Sequence, residues 1–372
     1  MASTRHSNYI APQTIDAKLI DTPYGPSHEL PMLAALPAQR TNKDWGPLMR
    51  NQIDLPANWR TLDREMRVTV AGHAVDEMFS PLGIHVDLGL AFDDILRRGY
   101  HRTAPNDIRF NKRVRDTETK SHNGRRAKRP SSLGMSLIGE PGSGKSVSVN
   151  QVVQSYSQVI RHAFDEYHGA LYLQLVHLTL PIPSDASVRT LCVNFVLALD
   201  EALGTEYAES NKIDRKTAGQ LLGVMARLAV SHSLGVLILD DLQNLSPRYS
   251  GGKSTLAGSL VQFTDRLRIP IVVVGTPDAE DFLRSFPHLH RRAKTHALRW
   301  ESAQLGAGWS AFVQSLWKCS TLRQRGTPSL RQINGLRGAS EGNFHDACER
   351  FLSAVRSALY LGNETLTDSC FD

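Results

Sequence analysis

The sequence predicts an α/β fold: a parallel sheet flanked by crossover helices, with an N-terminal appendage before it and a small helical region after it. Three observations predict it. From residue 130 short apolar runs alternate with amphipathic stretches, the pattern of a parallel sheet and its crossovers. A glycine-rich turn ending in Lys145-Ser146 joins the first such run to the first such stretch. From Ala307 onward no strand pattern occurs, and AFVQSLWKC, SLRQINGLR and NFHDACERFLSAVRSALYL all carry helical periodicity. At 372 residues, 41% hydrophobic and 22% charged, the chain is long enough for two or three domains, and its composition excludes collagen, coiled coil and wholesale disorder.

Taken in order, residues 1–60 hold Pro12, Pro23, Pro26, Pro31, Pro37, Pro47 and Pro56, which interrupt any long helix, and an extended arm is expected there. Residues 61–108 are expected to form a small helical extension, with a helix over LAFDDILRR (90–98) that ends at Gly99. Residues 109–129 are a basic linker, 130–302 the α/β core, 303–361 a helical subdomain and 362–372 an acidic tail. Within the core the expected strands are 134–138, 170–178, 235–239, 270–274 and 295–300. The expected helices are 146–162, 187–203, 218–231, 254–267 and 279–285. The tail NETLTDSCFD reads either as a frayed end or as a short peptide captured by a partner.

Net charge is +6, but RFNKRVRDTETKSHNGRRAKR (109–129) alone carries +7, leaving the remainder near neutral. That run reads as a solvated linker or as a phosphate-binding arm, since Lys or Arg set against a nucleic acid backbone releases condensed counterions. Cys192, Cys319, Cys348 and Cys370 lie far apart with no zinc-ligand spacing, so neither a disulfide framework nor a structural zinc site is expected. Residues 1–14 lack an apolar segment, and the longest apolar runs, 236–239 and 269–274, are too short to cross a bilayer. The expected setting is cytoplasmic, with no membrane partner.

The clearest motif is Gly139-Glu140-Pro141-Gly142-Ser143-Gly144-Lys145-Ser146, which satisfies G-x-x-x-x-G-K-[ST] between a strand and a helix. The glycines permit backbone angles that turn successive N–H groups inward, and the helix start offers its positive end to phosphate oxygens. Lys145 would reach the β and γ phosphates and Ser146 would hold Mg²⁺, with Val147 completing the cofactor-binding run. Downstream, VLILD-Asp241 supplies the second metal-positioning carboxylate, Asp240, at the end of an apolar strand. Asp241 stands where a water-polarising carboxylate is needed; being short, it must act by another route or through Gln243, so slow hydrolysis is expected. The next strand ends in Thr276, a candidate phosphate sensor or simply a turn residue before Pro277. Arg291 and Arg292 follow a helix, as candidates for insertion into a neighbouring subunit's nucleotide site or as a basic solvated end. Asn211-Lys212-Ile213-Asp214 spells the guanine-reading N-K-x-D, but it precedes the Asp240 strand and follows no strand of its own, so ATP is expected rather than GTP.

The order of these pieces, from the phosphate loop through Asp240-Asp241-Leu-Gln243, Gly275-Thr276-Pro277 and Arg291-Arg292 to a helical lid, resembles AAA+ ATPases. More narrowly it resembles the TnsC/TniB family, ATP-dependent regulators of heteromeric transposition systems. The residues that carry this are the run from Asp240 to Ser246, Ser250-Gly251-Gly252, and Val274 to Pro277, with FSPLGIH (79–85) and Arg98-Gly-Tyr100 similar to the larger TnsC proteins. Two positions depart from the family pattern: Asp241 replaces the usual glutamate, and His345 in GNFH (342–345) stands where many AAA+ lids carry a sensor arginine. The resemblance implies a P-loop AAA+ core and a ring or helical filament, with a hexamer or heptamer per turn, assembling around double-stranded DNA when ATP bridges subunits. Its further partners would be transposase subunits and a target-selection protein of the TniQ/TnsD type. It also implies DNA-backbone contacts that position without reading sequence, here from Ser187 and Arg189, with Lys212, Lys253 and the arm residues Lys112, Arg113, Arg125 and Arg126 as further candidates. A DNA-bound scaffold with negligible turnover and a replication initiator or helicase loader are the alternative readings.

Overall fold

A computed structural model of the chain describes residues 14–52, 54–101, 133–163, 171–245, 256–261, 269–303 and 306–371. In chain order the strands are β1 (Thr14–Asp16), β2 (Gly134–Gly139), β3 (Val159–Ala163), β4 (Leu171–Leu175), β5 (His177–Pro181), β6 (Val236–Asp240), β7 (Ile271–Gly275) and β8 (His296–Trp300). Five of them form the central sheet in the order β5-β6-β7-β2-β8, and β1-β3-β4 form a second, three-stranded sheet. The pairs β5–β6, β6–β7 and β7–β2 are parallel, with Leu239 opposite Val273 and Ile138 opposite Gly275. The central strands β6 and β7 read as unbroken apolar runs, VLIL and IVVV, as expected where both faces of a parallel sheet are covered.

The helices are α1 (Pro31–Ala34), α2 (Asn42–Met49), α3 (Arg64–Glu77), α4 (Gly83–His101), α5 (Lys145–Val153), α6 (Val188–Leu203), α7 (Tyr207–Ser210), α8 (Ala218–Ser231), α9 (Pro277–Ser285), α10 (Pro287–Ala293), α11 (Ala307–Lys318), α12 (Leu330–Ala339) and α13 (Phe344–Leu361). Residues 256–261 are also helical, within the helix expected over 254–267. No helix among the described residues is long and apolar enough to cross a membrane.

The chain divides into two compact units, Met1–Gln39 with Ala91–Ile138 and Val153–Leu298, and Arg40–Leu90 with Gly139–Val152 and Arg299–Asp372. The first is built round the sheet, whose core of Leu178, Leu180, Leu237, Leu239, Ile271 and Val273 is continued by Phe195, Leu199, Leu221 and Leu228 of α6 and α8. The second has a helical core in which Ala71 and Ala74 of α3 meet Trp309, Phe312 and Leu316 of α11, Leu336 of α12 and Phe351 of α13.

The structure corrects several local expectations. The helix expected over 146–162 stops at Val153, and Val159–Ala163 is a strand paired with β4 on one side and β1 on the other. The strand expected over 170–178 is two strands in different sheets, separated at Val176. Helix α4 runs through Gly99 to His101, because Tyr100 is buried with its hydroxyl donating to Ser233 O at 3.0 Å, an anchor that outweighs the glycine's preference to end the helix. The proline-rich segment contains packed structure: Pro31 opens α1, where Met32 and Leu33 are buried, and Gln174 Nε2 donates to Met32 O at 3.0 Å.

The tail is part of the helical unit. Leu366 and Phe371 are buried in its core, Gln332 Nε2 donates to Leu366 O at 2.9 Å, and Ser329 Oγ donates to Asp368 Oδ1 at 2.8 Å. Glu364 pairs with Arg67 of α3 at 2.5 Å, and Arg67, only 3% exposed, also donates through Nε to Thr321 O at 2.9 Å. The Arg67 and Arg323 donors hold the Glu364 carboxyl down at about 2, against an ordinary value of 4.5. A carboxyl depressed by folding contributes stability above its unfolded pKa and loses it as pH falls through the folded value. Glu364→Gln is therefore expected to destabilise the protein by about 2 kcal/mol near neutral pH. In melting curves taken at successive pH values, its difference from wild type should shrink between pH 4.5 and about 2.

Candidate nucleotide site and basic face

Strand β2 ends at Gly139, where any Cβ would strike Trp300 O, and the chain turns through Gly142 (φ 74°) and Gly144 (φ 89°) into α5. Both angles lie in the left-handed region that favours glycine. The turn closes on Lys145, 8% exposed, whose Nζ donates to Gly139 O at 2.8 Å, Glu140 O at 2.7 Å and Ser143 Oγ at 3.3 Å. Trp300 Nε1 fixes the loop from another side by donating to Ser143 O at 2.8 Å. Ser146 and Val147, at the start of α5, are exposed. A curled glycine loop, a helix amino terminus and an ammonium held by loop oxygens are the donor set a polyphosphate needs, so these residues fit a nucleoside triphosphate.

The amino end of α13 also meets the loop. Asn343 Nδ2 donates to Pro141 O at 2.9 Å, and the backbone N–H of His345 donates to Gly142 O at 3.2 Å. His345 thus reaches the loop through its main chain, while its side chain is exposed. Asn343 was not singled out in the sequence; the available signal was an asparagine before a helical run, the pattern of an N-cap.

In the sheet-based unit, the polar ends of β6 and β7 converge. Asp241 has φ 58° and donates its N–H to Asp240 Oδ1 at 2.8 Å. Gln243 Nε2 donates to Asp241 Oδ1 at 2.8 Å, and Gln243 Oε1 accepts the Thr276 N–H at 3.4 Å. The structure therefore brings Asp240, Asp241, Gln243 and Thr276 together at the carboxyl ends of adjacent strands, where ligands of open parallel sheets bind. The Asp241 side chain is thus linked through Gln243 to the Thr276 backbone.

The two adjacent arginines separate. Arg291 is exposed, whereas Arg292 is 3% exposed and donates through Nη1 to His288 O at 2.8 Å. The backbone there packs so near β2 that a Cβ on Gly134 would lie 2.5 Å from Arg292 O. Of the residues considered for a DNA backbone, Ser187 is the N-cap of α6, accepting the Thr190 N–H at 3.2 Å, and Arg189 is exposed with Nη2 on Asp214 O at 2.9 Å. That bond sets Arg189 beside the 3-10 turn Ile213–Arg215, next to exposed Lys212. Lys253, Lys112, Arg113, Arg125 and Arg126 lie outside the described residues. The N-K-x-D quartet is a structural turn: Asn211 bonds Tyr207 O at 2.8 Å and accepts from Arg227 at 2.5 Å, and Ile213 is buried. Among the described residues no group of three or more His, Cys, Asp or Glu is placed to hold a metal.

Residues 131–283 match the family model described as an AAA domain, and the parallel five-stranded sheet with flanking helices is consistent with a P-loop AAA+ core. No curated protein matches the chain. Among solved structures, the chain is similar to Cdc6p from Pyrobaculum aerophilum, at 15% identity and TM-score 0.42, over 63% of this chain and 57% of that one. It is similar to the Aeropyrum pernix ORC1 protein in complex with DNA, at 14% identity and TM-score 0.43, over 71% and 62%. It is also similar to Drosophila ORC bound to DNA, at 12% identity and TM-score 0.44, over 89% and 70%. The chain spans less than two thirds of the length of the two archaeal proteins.

The burial of Arg292 and the exposure of Arg291 give opposite expectations for the pair. Arg292→Ala should cost about 2 kcal/mol in chemical denaturation, and Arg291→Ala should stay within about 0.5 kcal/mol of wild type.

Proposed function

We propose that the chain is an ATP-dependent, DNA-binding AAA+ regulator of DNA transposition of the TnsC/TniB type. ATP is held on the loop from Gly139 to Val147, with the Ser146 hydroxyl as a magnesium ligand. Asp240 and Asp241 are the acidic residues of the hydrolytic step, Gln243 links Asp241 to the Thr276 backbone, and Arg291 is the arginine available to a neighbouring copy. Copies assemble on duplex DNA, join target-site selection to transposase recruitment, and come apart on hydrolysis. When bound, the magnesium nucleotide supplies the phosphoanhydride whose cleavage drives that release.

The observation that carries this reading is the hydrogen-bonded end formed by Asp241, Gln243 and Thr276, because these residues belong to two of the runs that carry the family resemblance. A second reading, a scaffold with negligible turnover, is favoured by the same feature, since the short Asp241 carboxylate accepts from Gln243.

The experiment images the protein with duplex DNA and a nonhydrolysable ATP analogue, and measures phosphate release with and without DNA. Nucleotide-dependent rings or filaments and a release rate lost in Asp241→Asn support the regulator. Assembly with no release supports the scaffold, and capture of a replicative helicase instead of a transposase supports an initiator. DNA affinity should fall with salt at a log–log slope of about −4 to −5 for four to six phosphate contacts, and a flat response contradicts backbone binding.

A further inference from the structure

We propose that Asn343 is a positioning residue for the phosphate loop: one side-chain amide caps α13 and at the same time holds the loop in its phosphate-ready shape. The cap uses Oδ1, which accepts the N–H of His345 at 3.0 Å and of Asp346 at 3.3 Å. The loop contact uses the other end, Nδ2 on Pro141 O at 2.9 Å, while the His345 N–H takes the next carbonyl, Gly142 O, at 3.2 Å. Two successive loop carbonyls are therefore held from the same helix end.

Because a trans peptide points its C=O and the following N–H in opposite directions, fixing those two carbonyls toward α13 turns the N–H groups of Gly142 and Ser143 away from it. The Ser143 N–H faces Glu140 O at 3.3 Å, the same oxygen that Lys145 Nζ contacts at 2.7 Å. The carbonyls of Pro141 and Gly142 are thus held by α13, while the Ser143 N–H and the Lys145 ammonium both turn to Glu140 O.

The placement of Asn343 is itself constrained. It follows Gly342 (φ 74°), whose N–H donates to Arg337 O at 3.1 Å and whose carbonyl accepts the Ala303 N–H at 3.0 Å, and its own N–H donates to Ser340 O at 2.8 Å. The fit is close: a Cβ on Gly142 would lie 2.8 Å from Asn343 Oδ1 and 2.9 Å from Nδ2. A residue serving only as a helix cap needs neither the second bond nor that approach. The ligand consequence rests on the nucleotide reading above: a triphosphate seated on the loop is sensed at α13 through this amide, and a displaced α13 releases the loop carbonyls.

Asn343→Ser separates the two roles, since serine caps a helix about as well as asparagine but cannot reach Pro141 O. The variant is expected to melt within about 2 °C of wild type. Hydrogen exchange of the loop peptide 139–146, measured without nucleotide, should be about 10-fold faster. ATP–Mg²⁺ should bind about 10-fold more weakly, the loss expected for one removed hydrogen bond. Asn343→Asp, which also caps but turns the loop-facing donor into an acceptor, should show the same faster exchange, and it decides the matter if the serine variant melts low. Unchanged loop exchange in both variants overturns the positioning role, whatever their stability. Faster exchange in a protein whose wild type ignores ATP upholds the positioning role and sinks the nucleotide reading instead.

Discussion

A buried ammonium is the constraint on which the phosphate loop depends. Lys145 at 8% exposure is tolerated because the loop wraps oxygen around it, from Gly139, Glu140 and Ser143, and the loop can wrap only because Gly142 and Gly144 adopt left-handed angles. Everything else at this end of the unit supports that curl. Trp300 ties Ser143, Asn343 ties Pro141, and the backbone of α13 ties Gly142. Under the nucleotide reading proposed above, these contacts with Lys145 are the ones that phosphate oxygens would replace.

The sheet-based unit solves a different problem, that of holding acidic side chains at a strand end. Asp240 closes β6, and the left-handed turn at Asp241 brings its N–H back onto the Asp240 carboxylate. Gln243 then spans from Asp241 to the start of α9 at Thr276, so one side chain sets the spacing of two strand ends. The Asp241 carboxylate is thereby held by an amide that is itself tied to the next strand end.

Much of this was legible in the sequence. The loop motif, the apolar runs of the central strands and the acidic pair after VLIL are local patterns, and local patterns survive folding when both faces of the strand are buried. What escaped depends on distant partners. The three-stranded sheet needs β1 and β3, separated by more than a hundred residues, and nothing in QVIRHA distinguishes a strand from the end of a helix. Arg292 looks like its neighbour until α10 packs against β2, and the acidic tail looks frayed until Phe371 finds the helical core. Asn343 carried a visible cap signal, but its second bond to Pro141 spans about two hundred residues and no periodicity reports it.

The most direct test of the account is calorimetric titration of ATP with magnesium into the purified wild-type protein and into Lys145→Ala. The account predicts saturable binding by the wild type and loss of at least about a hundredfold in affinity on removing the ammonium, the effect of about 3 kcal/mol for a charge-assisted contact. Wild-type protein that shows no heat of binding, or an alanine variant that binds as tightly, would contradict it.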